Sequence, residues 1–374
     1  MSQKSTHITD LFGTLPTPSY IIDENVLRHN GEILASVAAH TGCKILLAQK
    51  AFSNYDFYPL LSGYLSGTEA SGLYEARLGA EEMPDKEVHV FCGAYRDDEF
   101  EELLTYADHI VFNSPHQFKK FAQKAKAAGK SIGLRINPEC STQDGHAIYD
   151  PCAPGSRLGT TRAVWNREMT GEWISLLDGL HFHTLCEQDS DDLETTLAAV
   201  ERSFGDILPQ MKWLNMGGGH HITRNDYDIA RLEKCITYAQ DQWNLCVYLE
   251  PGEAVALNAG YLITRVLDIV ENNGMHIAIL DTSAACHMPD VIEMPYMPPL
   301  YGAKTVTDTP ATNADSKYPD FVYRLAGPTC LAGDVIGDYT FAAPLHEGSL
   351  LVFQDMAIYS TCKNNTFNGM PLPD

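Results

Sequence analysis

No C-x-x-C pair and no regular cysteine spacing occur in this chain, although it carries 10 cysteines in 374 residues. A disulfide framework is therefore not expected, and the thiols read as reduced and mostly buried, as in a cytosolic protein. Basic residues are scarce: 26 Lys and Arg stand against 49 Asp and Glu, a net charge of −23. Nucleic-acid binding needs a basic footprint and is excluded on that ground, whereas a cationic small substrate is compatible. The acidic balance otherwise bears on solubility more than on fold. No uninterrupted apolar stretch reaches the roughly 18 residues of a membrane span. Met1 to Gly13 lacks the apolar core of a signal peptide. No internal repeat, low-complexity tract or helix-opening G-x-G-x-x-G is present either. These absences leave a cytoplasmic protein with no membrane partner.

What is present is alternation. Short β-rich runs occur at Lys44–Leu47, Tyr64–Thr68, Val88–Phe91, His109–Phe112, Ile132–Ile136, Leu180–His183, Trp213–Asn215 and Val247–Leu249. Helix-like stretches, among them Asp97–Tyr106, Pro115–Ala128, Asp191–Leu208 and Asp226–Trp243, lie between most of them. Ser114 before Pro115 is a helix-start signal, a cap followed by proline in the first turn. Strands alternating with helices predict a parallel α/β fold, and eight is the number that closes a TIM barrel. An open doubly wound sheet is the alternative. After Gly260 the texture changes to strand-like runs at Tyr261–Val270, Ile277–Asp281, Phe321–Leu325 and Leu350–Phe353, separated by loops rich in Pro and Gly. The expected organisation is a barrel over residues 25–260 and a β domain over 261–374, joined by an N-terminal strand within 1–24.

In a TIM barrel the chemistry sits at the C-terminal strand ends, and phosphate often binds after the last two strands. Four features fall at such ends. Lys50 follows the first strand; a partly desolvated lysine there can form an imine with an aldehyde, though a lysine flanking a strand is by itself ordinary. His181 and His183 lie two apart on the sixth strand and share a face. Either could stack on a ring, act as base or bind metal, or be a satisfied core histidine. Gly217, Gly218 and Gly219 follow the seventh strand, where bare amides can approach an anion; a flexible turn is the alternative. The adjoining His220 and His221 raise metal binding, but no carboxylate-and-His spacing completes a site. Glu250, in E-P-G-E after the eighth strand, could hold or protonate a heterocyclic nitrogen, and Gly252 adds a second close-approach position. An amine, a stacking ring, an anion cradle and a carboxylate are together what pyridoxal 5′-phosphate requires.

These residues resemble those of the barrel-type pyridoxal-phosphate enzymes, the alanine racemases and the ornithine and diaminopimelate decarboxylases, over nearly the whole chain. The resemblance implies that Lys50 is the Schiff-base lysine, His183 the histidine on the cofactor ring, Gly217–Gly219 the phosphate glycines and Glu250 the partner of the pyridine nitrogen. It also implies that Arg135 (L-R-I-N) lies near the cofactor and that Tyr359 reaches its phosphate. Gly327-Pro328-Thr329-Cys330 resembles the G-P-T-C motif that decarboxylases, but not racemases, contribute from the partner subunit of a homodimer. Longer strings resemble the carboxynorspermidine/carboxyspermidine decarboxylases: T-E-A-S-G-L-Y-E-A-R-L-G, L-C-E-Q-D, G-G-G-H-H-I-T, E-P-G-E-A-V-A-L-N-A-G, C-H-M-P-D-V-I-E-M-P-Y and A-G-P-T-C-L-A-G-D.

Departures from ornithine and diaminopimelate decarboxylases sharpen the expectation. Glu253 replaces their phosphate-binding arginine, Leu331 follows G-P-T-C where ornithine decarboxylase has an aspartate, and Cys186 replaces a phosphate-binding serine. Glu253 and Asp290 would suit polyamine nitrogens, and His287 and Asp334 join them as candidate substrate contacts. The function expected is pyridoxal-phosphate-dependent decarboxylation of a carboxylated polyamine, with Lys50, Cys330 and Glu250 catalytic and no metal. Three alternatives remain open: a decarboxylase of diaminopimelate or another basic amino acid, a catalytically silent cofactor-binding homologue and, on the histidine count alone, a metal-dependent TIM-barrel hydrolase.

Overall fold

The computed structural model describes residues 11–143, 149–306 and 321–374. In chain order its strands are β1 (Ser19–Ile22), β2 (Lys44–Ala48), β3 (Gly67–Ala70), β4 (Glu87–Cys92), β5 (His109–Phe112), β6 (Ser131–Asn137), β7 (Thr160–Thr161), β8 (Gly179–His181), β9 (Trp213–Asn215), β10 (Cys246–Leu249), β11 (Gly260–Asn272), β12 (Met275–Leu280), β13 (Lys304–Thr305), β14 (Phe321–Ala326), β15 (Val335–Phe341) and β16 (Leu350–Gln354). The chain divides into two compact units. One is Arg28–Val255; the other joins the chain up to Leu27 with everything from Ala256 on.

The first unit is a closed parallel barrel. Its strands pair in the order β5–β4–β3–β2–β10–β9–β8–β6, and β5 also pairs β6, which closes the ring and removes every sheet edge. Both faces of a parallel barrel strand are covered, so these strands are short, buried and near-continuously apolar. Helices return the chain between strands; in chain order they are α1 (Glu24–Thr41), α2 (Tyr58–Leu61), α3 (Leu73–Glu82), α4 (Asp97–Tyr106), α5 (Pro115–Ala127), α6 (Arg162–Glu168), α7 (Gly171–Ile174), α8 (Ser190–Phe204), α9 (Ile229–Trp243) and α10 (Glu253–Ala256). The start of α5 follows the sequence signal, with the Ser114 hydroxyl accepting the Gln117 N–H and Pro115 in the first turn. The barrel is filled partly by trading volume between strands. A Cβ on Gly179 would lie 2.0 Å from the Trp213 ring, and one on Gly133 would lie 2.3 Å from it. Two glycines on neighbouring strands thus admit one indole, whose Nε1–H donates to Ser131 at 2.9 Å. The second barrel strand starts at Gly67 rather than at the Tyr64 expected from its side chains. Tyr64 is spent in the preceding turn, its N–H donating to Leu61 at 2.9 Å.

The second unit is a sheet ordered β1–β11–β12–β14–β15–β13, with β16 also on β11. The long β11 is its spine, pairing antiparallel with β1, β12 and β16. Its core gathers Leu262, Val266, Leu280, Leu325, Tyr339 and Phe353. The short helix α11 (Ala284–His287) follows β12, capped by the Ser283 hydroxyl. β15 was not evident in the sequence because Gly337 and Asp338 interrupt it. The structure explains both residues: Asp338 takes a two-pronged ion pair from Arg324 on β14 at 2.8 and 2.9 Å. A Cβ at Gly337 would meet Met297 at 2.7 Å.

Candidate active site

The barrel carries its polar cluster where the strands end. Glu250, one residue past β10, is 5% exposed. It is held from two neighbouring strands: His181 Nε2 lies 3.0 Å from one oxygen, and Asn215 Nδ2 donates to the other. Burial opposes the charge on Glu250, but the His181 ring and these hydrogen bonds outweigh it and hold the carboxyl below its ordinary value. An ionised carboxylate only accepts, so Nε2 of His181 carries the proton. Burial keeps that ring below its usual pKa. Phe91 stacks on His181 at 5.4 Å, and the Arg135 guanidinium lies 4.6 Å above Phe91 on its way to the His183 carbonyl at 3.3 Å. Burial pulls Arg135 down to about 10, which still leaves it charged at neutral pH.

The expected strand through His183 ends at His181, so His183 belongs to the following loop. Its Nδ1 accepts the Gly218 N–H at 3.1 Å. Burial, reinforced by the charges of Lys50 and Arg135, pushes this ring well below its ordinary value. It therefore presents a neutral aromatic face. The glycine loop beside it tolerates no side chain. A Cβ on Gly218 would lie 2.3 Å from the Glu250 carbonyl, and Gly219, at φ +82°, would place one 2.2 Å from the Leu185 carbonyl. Gly252 is packed as closely, its Cβ position 2.6 Å from Ala51. Lys50 lies in the turn after β2 and is exposed, a correction to the partly desolvated lysine expected from sequence. Its charge is felt by His183, His181 and Glu69.

Sequence reasoning missed four residues. Glu69, aligned with Ala48 of β2, is 4% exposed. Burial and the nearby Glu250 push it up to about 8. An acid in the middle of a fully buried strand was the available signal. Asn215 closes W-L-N just before the glycines and also accepts the Gly217 N–H at 2.9 Å. Glu187, with φ 54°, joins His221 and Glu253 in a group whose donor atoms lie within 4.8 Å of one another. Asn368 contacts Cys330, as described below. Cys186 is half-buried and its thiol is pushed up to about 11 by burial.

The remaining candidates lie in the sheet unit. Cys330 is exposed in the turn between β14 and β15, and the neighbouring Leu331 is 44% exposed. Tyr359 is half-buried in a left-handed backbone, φ 54°. Asp290 is paired with Lys363, which also reaches Glu293. Both ring nitrogens of His287 are engaged, Nδ1 with Thr282 at 2.9 Å and Nε2 with the Pro371 carbonyl at 2.9 Å. Asp334 is buried and accepts from Ser283 at 2.9 Å and Thr329 at 2.7 Å. These three side chains have intramolecular work in the sheet unit, where the sequence had offered them to substrate.

A glycine loop without side chains, a neutral imidazole face and a buried anionic carboxyl suit a planar heterocycle that carries a phosphate and a basic ring nitrogen. With a lysine at the same barrel mouth, that places the protein in the class of barrel-type pyridoxal-phosphate enzymes. Comparison with known proteins narrows the class. The family model for pyridoxal-dependent decarboxylases, C-terminal sheet domain, matches residues 19–357, and the chain belongs to that family. It is 43% identical to a carboxynorspermidine/carboxyspermidine decarboxylase from Campylobacter jejuni, over 96% of this chain and 92% of the relative. It is 40% identical to a carboxyaminopropylagmatine decarboxylase from Synechocystis, over 96% and 89%. Among solved structures, carboxynorspermidine decarboxylase from Campylobacter jejuni in complex with norspermidine superposes with a TM-score of 0.85. That pair is 42% identical, covering 96% of this chain and 93% of the other. No described helix is long and apolar enough to cross a membrane.

Proposed function

We propose that this decarboxylase removes the α-carboxylate of carboxynorspermidine and carboxyspermidine, giving norspermidine and spermidine in polyamine biosynthesis. The observation that carries the chemistry is the buried, ionised Glu250, held on both oxygens. When bound, pyridoxal phosphate supplies an aldehyde that takes up amines and a ring that accepts electrons. Lys50 would hold the aldehyde through its amine and would be the group to carry the amine's proton there. Glu250 would hold a proton on the ring nitrogen and so favour electron uptake by the ring; each ~1.4 kcal/mol gained in the transition state is tenfold in rate. His181 and Asn215 keep Glu250 oriented and charged. His183 would offer its neutral face to the ring, its loop held by Arg135 at the His183 carbonyl. The glycine loop Gly217–Gly219, with Gly252, would give the phosphate a close approach that no side chain obstructs. Cys330, supplied by a second copy of the chain, returns a proton to Cα. Glu253, with Glu187 beside it, attracts the cationic polyamine arm. We take the working form to be a cytoplasmic homodimer with shared sites.

The relative acting on carboxyaminopropylagmatine makes that compound the second candidate. The test is carbon dioxide release from carboxynorspermidine, carboxyspermidine, carboxyaminopropylagmatine and meso-diaminopimelate side by side. A carboxylated polyamine should exceed diaminopimelate by about 100-fold or more in kcat/KM. Norspermidine and spermidine differ by one methylene, worth only about 1–3 kcal/mol, so both parent acids should be turned over. Lys50→Ala should lose both turnover and the near-visible absorbance of the lysine-bound cofactor. Turnover retained by that variant would sink the assignment.

A further inference from the structure

We propose that Asn368 is a positioning residue for Cys330, and that the carboxy-terminal segment around it forms part of the catalytic apparatus. The proposal rests on the reading of Cys330 as the proton donor to Cα. A donor thiol on an exposed turn needs its backbone held, because proton transfer tolerates little misplacement. Cys330 sits in such a turn. Asp334 braces the turn from within: its backbone carbonyl accepts the Gly327 N–H at 2.9 Å, and its side chain accepts the Thr329 hydroxyl at 2.7 Å. The contact that reaches Cys330 itself comes from 38 residues away, where Asn368 Oδ1 accepts the Cys330 N–H at 2.8 Å.

The segment carrying Asn368 is anchored in its turn. Asn365 donates its N–H to the Cys286 carbonyl at 3.0 Å and its Nδ2 to the Ala285 carbonyl at 2.7 Å. The Phe367 N–H donates to Asn365 Oδ1 at 3.0 Å, and the Cys286 thiol donates to the Phe367 carbonyl at 3.6 Å. His287 holds the Pro371 carbonyl. Asp334 binds the same short helix, accepting the Ala285 N–H at 3.2 Å. One residue of α11 therefore ties down both arms: its N–H holds the Cys330 turn through Asp334, and its carbonyl holds the tail through Asn365. Asn368 closes this circuit of hydrogen bonds at Cys330. It also explains the C-H-M-P-D and T-C-L-A-G-D strings, whose His287 and Asp334 act in the brace.

The backbone of Asn368 dictates the experiment. At φ 57°, ψ 16° it is left-handed, a region that Asn, Asp and Gly accept and Ala resists. Asn368→Gly therefore removes the acceptor without straining the chain, and Asn368→Asp keeps an acceptor oxygen in place. The holoenzyme of each variant, with Cys330→Ala for reference, is assayed with carboxynorspermidine for kcat, KM and pyridoxamine phosphate formed per turnover. The last quantity reports proton placement. When Cα is not protonated, the proton goes to the cofactor carbon, water hydrolyses the adduct to an aldehyde, and the amino group stays on the cofactor.

Asn368→Gly should lower kcat about tenfold, leave KM within about twofold and raise pyridoxamine phosphate per turnover about tenfold; Asn368→Asp should restore all three. An Asn368→Gly enzyme with wild-type kcat and proton placement, beside a Cys330→Ala enzyme defective in both, overturns the proposal alone. So does a loss of kcat that leaves proton placement unchanged, which would mark a structural role only. If Cys330→Ala itself changes neither quantity, the reading of Cys330 falls and the proposal falls with it.

Discussion

At the scale of single residues, two buried glutamates at the same barrel mouth end in opposite states. Glu250 has a ring N–H and an amide N–H aimed at its oxygens and stays charged. Glu69 lies beside that charge, and burial together with Glu250 lifts it to about 8, so it is largely protonated at neutral pH. Two neighbouring buried carboxylates cannot both ionise freely, and the one with dedicated donors wins. The glycine cradle is equally residue-specific. In Gly218→Ala the new methyl carbon would sit 2.3 Å from the Glu250 carbonyl and 3.4 Å from the His183 ring, so the loop must move. Cofactor affinity in that variant should fall about tenfold or more, measured by absorbance titration of the apoprotein, while the chain still folds. Unchanged affinity would mean that this loop is not the phosphate cradle.

At the scale of elements, one acid registers three strands. Asp178 precedes β8 and is 5% exposed. Its carboxylate accepts the Ile132 N–H of β6 at 2.9 Å, Lys126 of α5 at 2.6 Å and Lys212 before β9 at 2.9 Å. Lys212 is 78% exposed, so that pair contributes little. The larger loss on removing the carboxylate is the buried Ile132 amide left without its partner. Asp178→Ala should therefore destabilise the barrel by about 1–3 kcal/mol, read as a lower urea midpoint, with kcat kept at permissive temperature. A midpoint within error of wild type would show that water replaces the carboxylate without cost. Most barrel strands were legible as short, largely apolar runs between helical stretches, while β3, Gly-Thr-Glu-Ala, was located only approximately. The β15 strand was not, because Asp338 belongs in a strand only once Arg324 stands opposite it.

At the scale of the whole molecule, buried imidazoles set the response to acid. Burial and the adjacent His89 push His109 from 6.5 down to about 3, and burial takes His220 to about 4. The unfolded chain binds these protons from pH 6.5 downward and the folded chain does not, so stability falls as pH falls through that window. Glu87 adds to the trend. Burial opposes its charge, but hydrogen bonds from His89 and Lys44 lower it from 4.5 to about 2. Its stabilisation is complete above 4.5 and is lost as pH falls toward 2. Thermal midpoints should thus decline below pH 6.5 and more steeply below 4.5. Replacing His109 with Phe should flatten the upper part of that slope by up to about one proton, about 1.4 kcal/mol per pH unit. An unchanged slope would mean that His109 takes up its proton in the folded state.

By itself the sequence determined the architecture and nominated the groups proposed to react. Strand and helix periods are local, and the lysine, the glycines and E-P-G each occupy a few consecutive residues. Tertiary structure alone decided how those groups behave. Whether Glu250 is charged depends on His181, 69 positions away, and on Asn215, 35 away. What holds Cys330 depends on Asn368, 38 positions on. Protonation and positioning follow from burial and from partners on other strands, and no local pattern encodes which partners the barrel and the sheet bring together.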